Sequence, residues 1–183
     1  MTKHIETERL ILREWKEEDK VPFARMNNDP MIMEFFPRRL TEEENARLVD
    51  RFQSHFEKRK FGFYAVEMKK TGQFMGFTGL QTVEMDVPFK GAVEIAWRLD
   101  YEYWGAGYAT EAAKAVMKHG FGKLKLKEIV AYAVHDNSRA IKLIEKLGMK
   151  RDPDGDFDYP SLPKDHPLGK FVLYRITKKQ FQS

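Results

Sequence analysis

The sequence predicts an α/β fold, with a mixed sheet that carries helices on both of its faces. The prediction rests on two features of the chain. Apolar strand-like segments alternate with amphipathic helical ones in the order βααβββαβαβ, and a Gly-x-Gly turn at 105–107 joins a predicted strand to a predicted helix. With 183 residues, 42% hydrophobic and 33% charged, the chain suits one globular domain spanning residues 1–183.

The first elements are a strand and two helices. Residues 9–15 alternate between polar and apolar side chains, which is typical of a strand. A helix is predicted over 17–28, because the proline at position 30 ends it. Thr41 and Glu44 have the spacing of a capping box, which predicts a second helix after Thr41. The apolar stripe of that helix consists of Leu48, Phe52 and Phe56.

The remaining elements are predicted from β-branched or aromatic runs, helical periodicity and turn residues. They are a hairpin of strands 61–67 and 74–83, a strand over 93–99, a helix over 109–121, a strand over 128–134, a helix opened by Asn137 and ended by Gly148, and a last strand over 171–176. Residues 150–170 hold four prolines and are predicted as a long loop. We expect this loop to present Tyr159 and Leu162 to a substrate.

The composition excludes several kinds of protein. The chain has no cysteine, so a disulfide, a thiolate metal site and a cysteine nucleophile are excluded, and we predict no metal. No apolar run approaches ~18 residues and the charged N-terminus lacks a signal-peptide core, so we expect a cytoplasmic protein that does not enter a membrane. A net charge of +4 is too small to indicate nucleic-acid binding, but it suits an anionic cofactor.

The segment from Gly105 to Thr110 has the pattern of a phosphate-binding turn. It lies between the predicted strand 93–99 and the predicted helix 109–121, where the first helical amides have no partner within the helix. The glycines allow a phosphate to approach the backbone, which predicts a pyrophosphate cradle. A tight turn that needs glycine for its conformation alone is the alternative. The P-loop and dinucleotide-binding patterns are both absent.

Four motifs in register resemble those of the GCN5-related N-acetyltransferases (GNAT), in particular the branch of the ribosomal-protein N-terminal alanine and serine acetyltransferases. The motifs are Glu94-Ile95-Ala96-Trp97-Arg98-Leu99, Tyr103-Trp104-Gly105-Ala106-Gly107-Tyr108-Ala109-Thr110-Glu111-Ala112, Asn137 with Glu145-Lys146-Leu147-Gly148-Met149, and Thr7-Glu8-Arg9-Leu10-Ile11-Leu12-Arg13. The resemblance implies the GNAT fold, an α/β (α+β) structure with a central sheet of about seven strands. It also implies acetyl transfer from acetyl-CoA to a primary amine, either a small molecule or a protein N-terminus, by direct attack on the thioester in a monomer or homodimer.

The resemblance also assigns cofactor-binding residues. Backbone groups of Trp97 and Leu99 would pair with the pantetheine arm. Asn137 would contact the cofactor, although an N-cap role is also open. Arg139 and Lys142 could reach the 3′-phosphate or form a solvated helix face. The amides that would hold the pyrophosphate are those of Gly105, Ala106, Gly107, Tyr108, Ala109 and Thr110.

Acetyl transfer to an amine needs a base, and Glu94 is our candidate. A glutamate in a central strand is partly desolvated, which raises its pKa towards the working range of a base. Pairing with Arg98 or another basic side chain is the alternative. Ala140 and Ile144 stand where the family often has a serine and a tyrosine, so the general acid stays open. The candidates are Ser138, Tyr132, Tyr159 and a water molecule.

Two further questions stay open at the level of sequence. Phe35 and Phe36 could line the acceptor site, although core packing is the alternative for each. A non-catalytic module that senses CoA or acts as a scaffold is the alternative to an enzyme. A nucleotide-binding protein of another class is disfavoured by the missing fingerprints.

Overall fold

The computed structural model describes residues 5–182. The prediction that the charged N-terminus lacks a signal-peptide core concerns residues 1–4 in part, and these lie outside the described residues. The fold is a mixed α/β structure with one open sheet of eight strands. The strands are β1 (Ile5–Glu6), β2 (Leu10–Arg13), β3 (Phe63–Met68), β4 (Phe74–Thr82), β5 (Val93–Leu99), β6 (Glu128–Val134), β7 (Lys150–Asp158) and β8 (Lys170–Thr177). The helices are α1 (Lys20–Met26), α2 (Glu42–Arg59), α3 (Tyr108–Gly122), α4 (Ser138–Lys146) and α5 (Lys178–Gln182), with short 3-10 helices at Glu17–Asp19 and Tyr101–Tyr103.

The strands follow the order β1-β2-β3-β4-β5-β6-β8-β7 in the sheet. Strand β5 pairs parallel to β6 through Glu94 and Val130, whereas β6 and β8 pair antiparallel along their length. The described residues divide into two compact units. One comprises the residues up to 81 together with 96–116, and the other comprises 82–95 together with the residues from 117 onwards. No helix within 5–182 is long and apolar enough to cross a membrane.

The first unit is built around a cluster of aromatic side chains. Trp15 meets the Phe23 ring edge-on, with 5.0 Å between ring centroids, and donates its indole N–H to the Phe63 carbonyl at 2.9 Å. The hydrogen bond lets a polar atom enter an apolar core without cost. Helix α2 packs Val49 and Phe52 against this cluster. The predicted capping box is confirmed, because the Thr41 hydroxyl accepts from the Glu44 amide and the Glu44 side chain accepts from the Thr41 amide.

The second unit has its core on β6 and β8. Val130 and Leu173 are fully buried, and they pack with apolar residues of the segment that precedes β5, including Val83, Val87 and Phe89. Helix α4 begins as predicted, because the Asn137 side chain accepts a hydrogen bond from the Ala140 amide at 3.2 Å. Gly148 follows the helix with φ of 84°, a left-handed conformation that glycine adopts readily.

The predicted loop over 150–170 is wrong in its first half. Residues 150–158 form β7, which pairs antiparallel to β8 at the end of the strand order. Proline 153 is tolerated there because an edge strand can leave one N–H position unpaired, and the pairing register shifts between Asp152 and Phe157. The connection to β8, residues 159–169, is therefore shorter than predicted.

The helix predicted over 17–28 is also divided. A 3-10 turn covers 17–19 and α1 begins at Lys20, because Pro22 lacks an amide hydrogen and fits only in the first turn of a helix. The strand predicted over 9–15 is shorter, extending from Leu10 to Arg13, and the additional short strand β1 precedes it.

Arg13 is a buried cation whose charge is fully paired. Its guanidinium makes two hydrogen bonds to the Asp19 carboxylate, at 2.8 and 2.9 Å, and a third to Glu67 at 2.6 Å. The side chains of Arg13 and Asp19 are 7% and 2% exposed. The triad therefore joins β2 to β3 and to the turn that precedes α1.

Replacing Arg13 by Met should lower the free energy of unfolding by about 3–5 kcal/mol, because Asp19 would stay buried without a partner for its charge. Arg47 is the matched control, since its pair with Glu43 is exposed, and Arg47→Met should cost about 0.5 kcal/mol or less. Urea unfolding measures both. Equal losses in the two variants would contradict this account of the triad.

Candidate functional site

Glu94 lies on β5 in the second unit and accepts a hydrogen bond from the Tyr132 hydroxyl of β6. Both side chains keep partial access to solvent. Burial raises the pKa of Glu94 to about 7, and the hydrogen bond from Tyr132 opposes this rise. Burial, and then the negative charge of Glu94, raise the pKa of Tyr132 well above its ordinary value. Near neutral pH the phenol therefore keeps its proton while the carboxylate exchanges one readily.

Aromatic rings surround the Tyr132 side of this pair. The Tyr132 ring lies 5.8 Å from that of Phe89 and 5.5 Å from that of Phe157, measured between centroids. Tyr159 packs on Phe171 at 5.0 Å and adds to the electrostatic environment of Tyr132. The structure thus brings together three residues that the sequence singled out separately: Glu94, Tyr132 and Tyr159.

The other predicted acceptor residues are distributed over both units. Leu162 is partly buried, and its amide donates to the Tyr159 carbonyl at 3.1 Å, so these two residues share one turn. Phe35 is partly buried and Phe36 is 41% exposed, both in the first unit. The Phe36 ring lies against the Arg98 guanidinium, 4.3 Å from its carbon. Phe36 is therefore a surface ring and not a core residue.

The predicted cradle presents a row of free amides. Among residues 5–182, no acceptor takes a hydrogen bond from the backbone amides of 105–110, and the first such bond after Trp104 is from Glu111 to the Gly107 carbonyl. Gly105 and Gly107 have φ of 79° and 81°, which other residues adopt only with strain. A Cβ at Gly105 would meet nothing within 4 Å. These exposed amides and open space fit a phosphate group of the nucleotide cofactor.

A network that the sequence did not reveal holds this turn in place. The Glu111 carboxylate accepts from the Arg9 guanidinium at 2.7 Å, from the Arg9 amide at 2.9 Å and from the Thr7 hydroxyl at 2.6 Å. Arg9 also donates to the Ala106 carbonyl at 3.0 Å and lies 4.1 Å from the centre of the Tyr108 ring. Because the Ala106 carbonyl is fixed from outside, the amides on either side of it are fixed as well.

In the second half of β5, the two residues predicted to pair with the pantetheine arm direct their backbone groups away from β4. The Ala96 carbonyl accepts from the Thr78 hydroxyl of β4 at 2.8 Å. Successive residues of a strand direct their backbone groups to opposite sides, so those of Trp97 and Leu99 point away from β4. The Leu99 carbonyl accepts from the Trp104 indole at 2.9 Å and keeps one lone pair for a further donor. Both residues could thus pair with an extended ligand.

The residues at the start of α4 differ in how they are held. Asn137 is the N-cap, as the sequence predicted, and its contact with a cofactor stays a prediction. Ser138 and Arg139 are exposed in the first turn of the helix. In the described part of the chain, the Ser138 hydroxyl donates to no acceptor, whereas Tyr132 is bonded to the candidate base. Within the second unit, the hydrogen bond to Glu94 comes from the phenol of Tyr132.

Comparison with known proteins identifies the family. The model of the acetyltransferase (GNAT) domain matches residues 9–150, more than half of the chain. The chain therefore belongs to the GNAT family and is an acetyltransferase. The family generally uses acetyl-CoA as its co-substrate.

Individual relatives match over nearly the whole chain. The uncharacterized N-acetyltransferase YnaD of Bacillus subtilis is 25% identical over 178 residues, which cover 97% of this chain and 99% of YnaD. A solved GNAT acetyltransferase from Bacillus anthracis has a TM-score of 0.79 at 25% identity and covers 97% of this chain and 99% of its own. The ribosomal-protein-S5-alanine acetyltransferase from Vibrio fischeri, with a TM-score of 0.76, shares the fold at 19% identity, with 99% and 100% coverage.

Gly107→Val should weaken acetyl-CoA binding by at least about tenfold. A β-branched residue adopts a positive φ only with strain, and its side chain would narrow the space beside the free amides. Gly72→Val is the matched control, since Gly72 also has a positive φ, of 70°, and open surroundings, but lies in the β3–β4 turn. Calorimetric titration measures affinity. If the folded Gly107 variant bound acetyl-CoA as tightly as the Gly72 variant, the glycine would serve only the turn.

Glu94 should make the stability of the wild-type protein fall as pH rises. Its pKa is raised, so the folded protein binds a proton between the ordinary value of 4.5 and about 7 that the unfolded chain has lost. The favourable contribution of Glu94 to folding stability is complete below pH 4.5 and is lost as the pH rises through about 7. Glu94→Gln should therefore gain stability relative to the wild type over this range, by up to about 3 kcal/mol.

Urea unfolding of the wild type and Glu94→Gln at several pH values between 4 and 8 measures this difference. Glu57→Gln, the same chemical change at an exposed position of α2, is the control. A stability difference for Glu94→Gln that stays constant across this range would show that Glu94 is not desolvated.

Proposed function

We propose that this chain transfers an acetyl group from acetyl-CoA to a primary amine, which is a small molecule or a protein N-terminus. The observation that carries the proposal is the desolvated Glu94 carboxylate with its bound phenol. An alkylammonium group has an ordinary pKa near ~10.4, so it must lose a proton before its nitrogen can attack. A carboxylate with a pKa of about 7 is a stronger base than an ordinary glutamate.

The residues of the chain divide the work in this proposal. Bound acetyl-CoA supplies the acetyl group as a thioester, already activated. The free amides at 105–110 hold its pyrophosphate, and the outward-facing backbone groups of Trp97 and Leu99 pair with its extended arm. Glu94 takes the proton from the ammonium group of the acceptor. The new bond joins nitrogen to the acetyl carbon as the carbon–sulfur bond breaks, and the nitrogen releases its second proton to water to give the neutral amide.

Tyr132 is the residue we propose as the acid for the departing thiolate. Its hydroxyl keeps its proton at neutral pH and is bonded to the base, so Glu94 can return a proton to it after the transfer. Ser138 is exposed and without such a bond, which makes it the weaker candidate. Two structural observations in the second unit support Tyr159 and Leu162 as acceptor contacts: their shared turn and the packing of Tyr159 on Phe171.

The setting of the reaction is part of the same proposal. We propose that the chain acts as a single domain, in the cytoplasm, as a monomer or homodimer. A net charge of +4, with 32 basic and 28 acidic residues, supports an anionic cofactor and gives no support to a nucleic-acid partner.

Glu94→Gln should lower kcat for amine acetylation by about 10²–10⁴ and leave the Kd for acetyl-CoA unchanged, because the base acts on the amine and not on the cofactor. The assay follows release of free CoA thiol at neutral pH over a panel of primary amines and peptides. Glu57→Gln is the control and should keep wild-type rates. Wild-type turnover in Glu94→Gln would remove Glu94 from the mechanism, and a panel with no acetylated amine would contradict the proposed function.

A further inference from the structure

Arg98 is a half-buried cation in the first unit, and no carboxylate among the described residues of that unit forms an ion pair with it. In the described part of the chain, its guanidinium makes one hydrogen bond, from Nη1 to the Asn27 side-chain carbonyl at 2.8 Å. Burial lowers the pKa of Arg98 to about 10, so the group is still charged at neutral pH. Arg13, in the same unit, shows the contrasting case, because two carboxylates neutralise its charge. A desolvated charge without a counter-charge is costly and calls for an explanation.

The remaining donors of Arg98 are available to a ligand. A guanidinium carries five N–H groups in a rigid plane, and no side chain or carbonyl among residues 5–182 accepts from Nε or Nη2. Among residues 5–182, the one side-chain polar atom that is both fully buried and without a hydrogen bond is the Tyr64 hydroxyl, so no Arg98 nitrogen belongs to this class. Nε and Nη2 of Arg98 are therefore not sealed from solvent. They lie on one edge of the guanidinium, the arrangement that binds a carboxylate with two parallel hydrogen bonds.

A buried relay of amides fixes the orientation of Arg98. Asn27 is fully buried, and its side-chain N–H donates to the Asn45 side-chain oxygen at 2.6 Å. Asn45 in turn donates to the Thr41 carbonyl at the start of α2, at 2.9 Å. Because the nitrogen of Asn27 is committed to Asn45, its oxygen must face Arg98. The guanidinium is thus held in place before any ligand arrives, which lowers the entropic cost of binding.

Two phenylalanine rings complete the surroundings. Phe77 lies 5.3 Å and Phe36 4.3 Å from the guanidinium carbon, each measured to the ring centroid. Apolar walls exclude water and strengthen the attraction between the cation and an anion. The rings offer a cation–π contact but do not neutralise the charge. Phe36 is 41% exposed, so this ring lies between the guanidinium and the protein surface.

We propose that Arg98 binds the carboxylate of the amine that this chain acetylates, so that the acceptor is an amino acid or another amine that carries a carboxylate. The inference rests on the proposed function, since it names the class of acceptor for that reaction. It assigns Arg98 a role in selecting the acceptor, separate from the proton transfer at Glu94 and from cofactor binding. The proposal also explains why the fold tolerates the costly unpaired charge of Arg98, since the ligand carboxylate would neutralise it.

A binding experiment tests the site without any turnover. N-acetylglycine, a minimal product with a carboxylate, and N-acetylglycinamide, its neutral counterpart, are titrated into the full chain. The readout is the NMR signal of the Arg98 Nε–H, assigned by its loss in Arg98→Lys. We expect a saturable shift with the acid and at least about tenfold weaker binding of the amide. Equal responses to both probes, or no response to either, would overturn the proposal.

An activity experiment tests selection of the acceptor. Amines are compared in pairs that differ only in a carboxylate, such as an amino acid and its amide, in the wild type and in Arg98→Met. We expect the wild type to favour the acid in kcat/KM by about tenfold or more and the variant to lose this preference, with Arg47→Met behaving as the wild type. An unchanged preference in folded Arg98→Met would overturn the proposal. Should no amine be acetylated, the proposed function fails, and the NMR titration still decides whether Arg98 binds a carboxylate.

Discussion

Desolvation of charged side chains on β5 is the constraint on which the chemistry of this protein depends. The side chains of Glu94 and Arg98 are both partly buried, so each charge needs a hydrogen-bonding partner. Glu94 has the Tyr132 hydroxyl, and Arg98 has the Asn27 amide. Neither partner carries an opposite charge. We therefore propose that each group keeps its reactivity, the carboxylate as a base that exchanges a proton near neutral pH and the guanidinium as a cation that is ready to bind an anion.

The turn at 105–110, for which we propose phosphate binding, has the opposite requirement, because its polar groups must stay unsatisfied until a ligand arrives. Positive φ at Gly105 and Gly107 turns the amides outwards, and the start of α3 adds further free N–H groups. Such a turn would be mobile without support. Glu111 and Arg9 provide it through charge-assisted hydrogen bonds that end on the Ala106 carbonyl. Rigidity comes from side chains, so the backbone donors remain available.

The sequence predicted best those features that local residues determine. The bounds of β5 and β6, the Thr41 capping box and the Asn137 N-cap are all as expected, because each depends on residues within a few positions of one another. Local patterns could not reveal partners far along the chain. Arg9 and Glu111 are separated by 102 positions and Asn27 and Arg98 by 71. Strand β7 was missed for the same reason, since its one proline and the three prolines that follow it suggest a loop, and its pairing with β8 overrides this local signal.

The pH dependence of kcat/KM for acetylation of a primary amine tests most directly whether Glu94 is the base. The account predicts two rising limbs in the wild-type pH profile. One has an apparent pKa of about 7 and belongs to Glu94, and the other belongs to the acceptor amine itself. In Glu94→Gln the limb near 7 should disappear and the amine limb should remain. A wild-type profile that follows the ionisation of the amine alone, with the same shape in Glu94→Gln, would contradict the central claim.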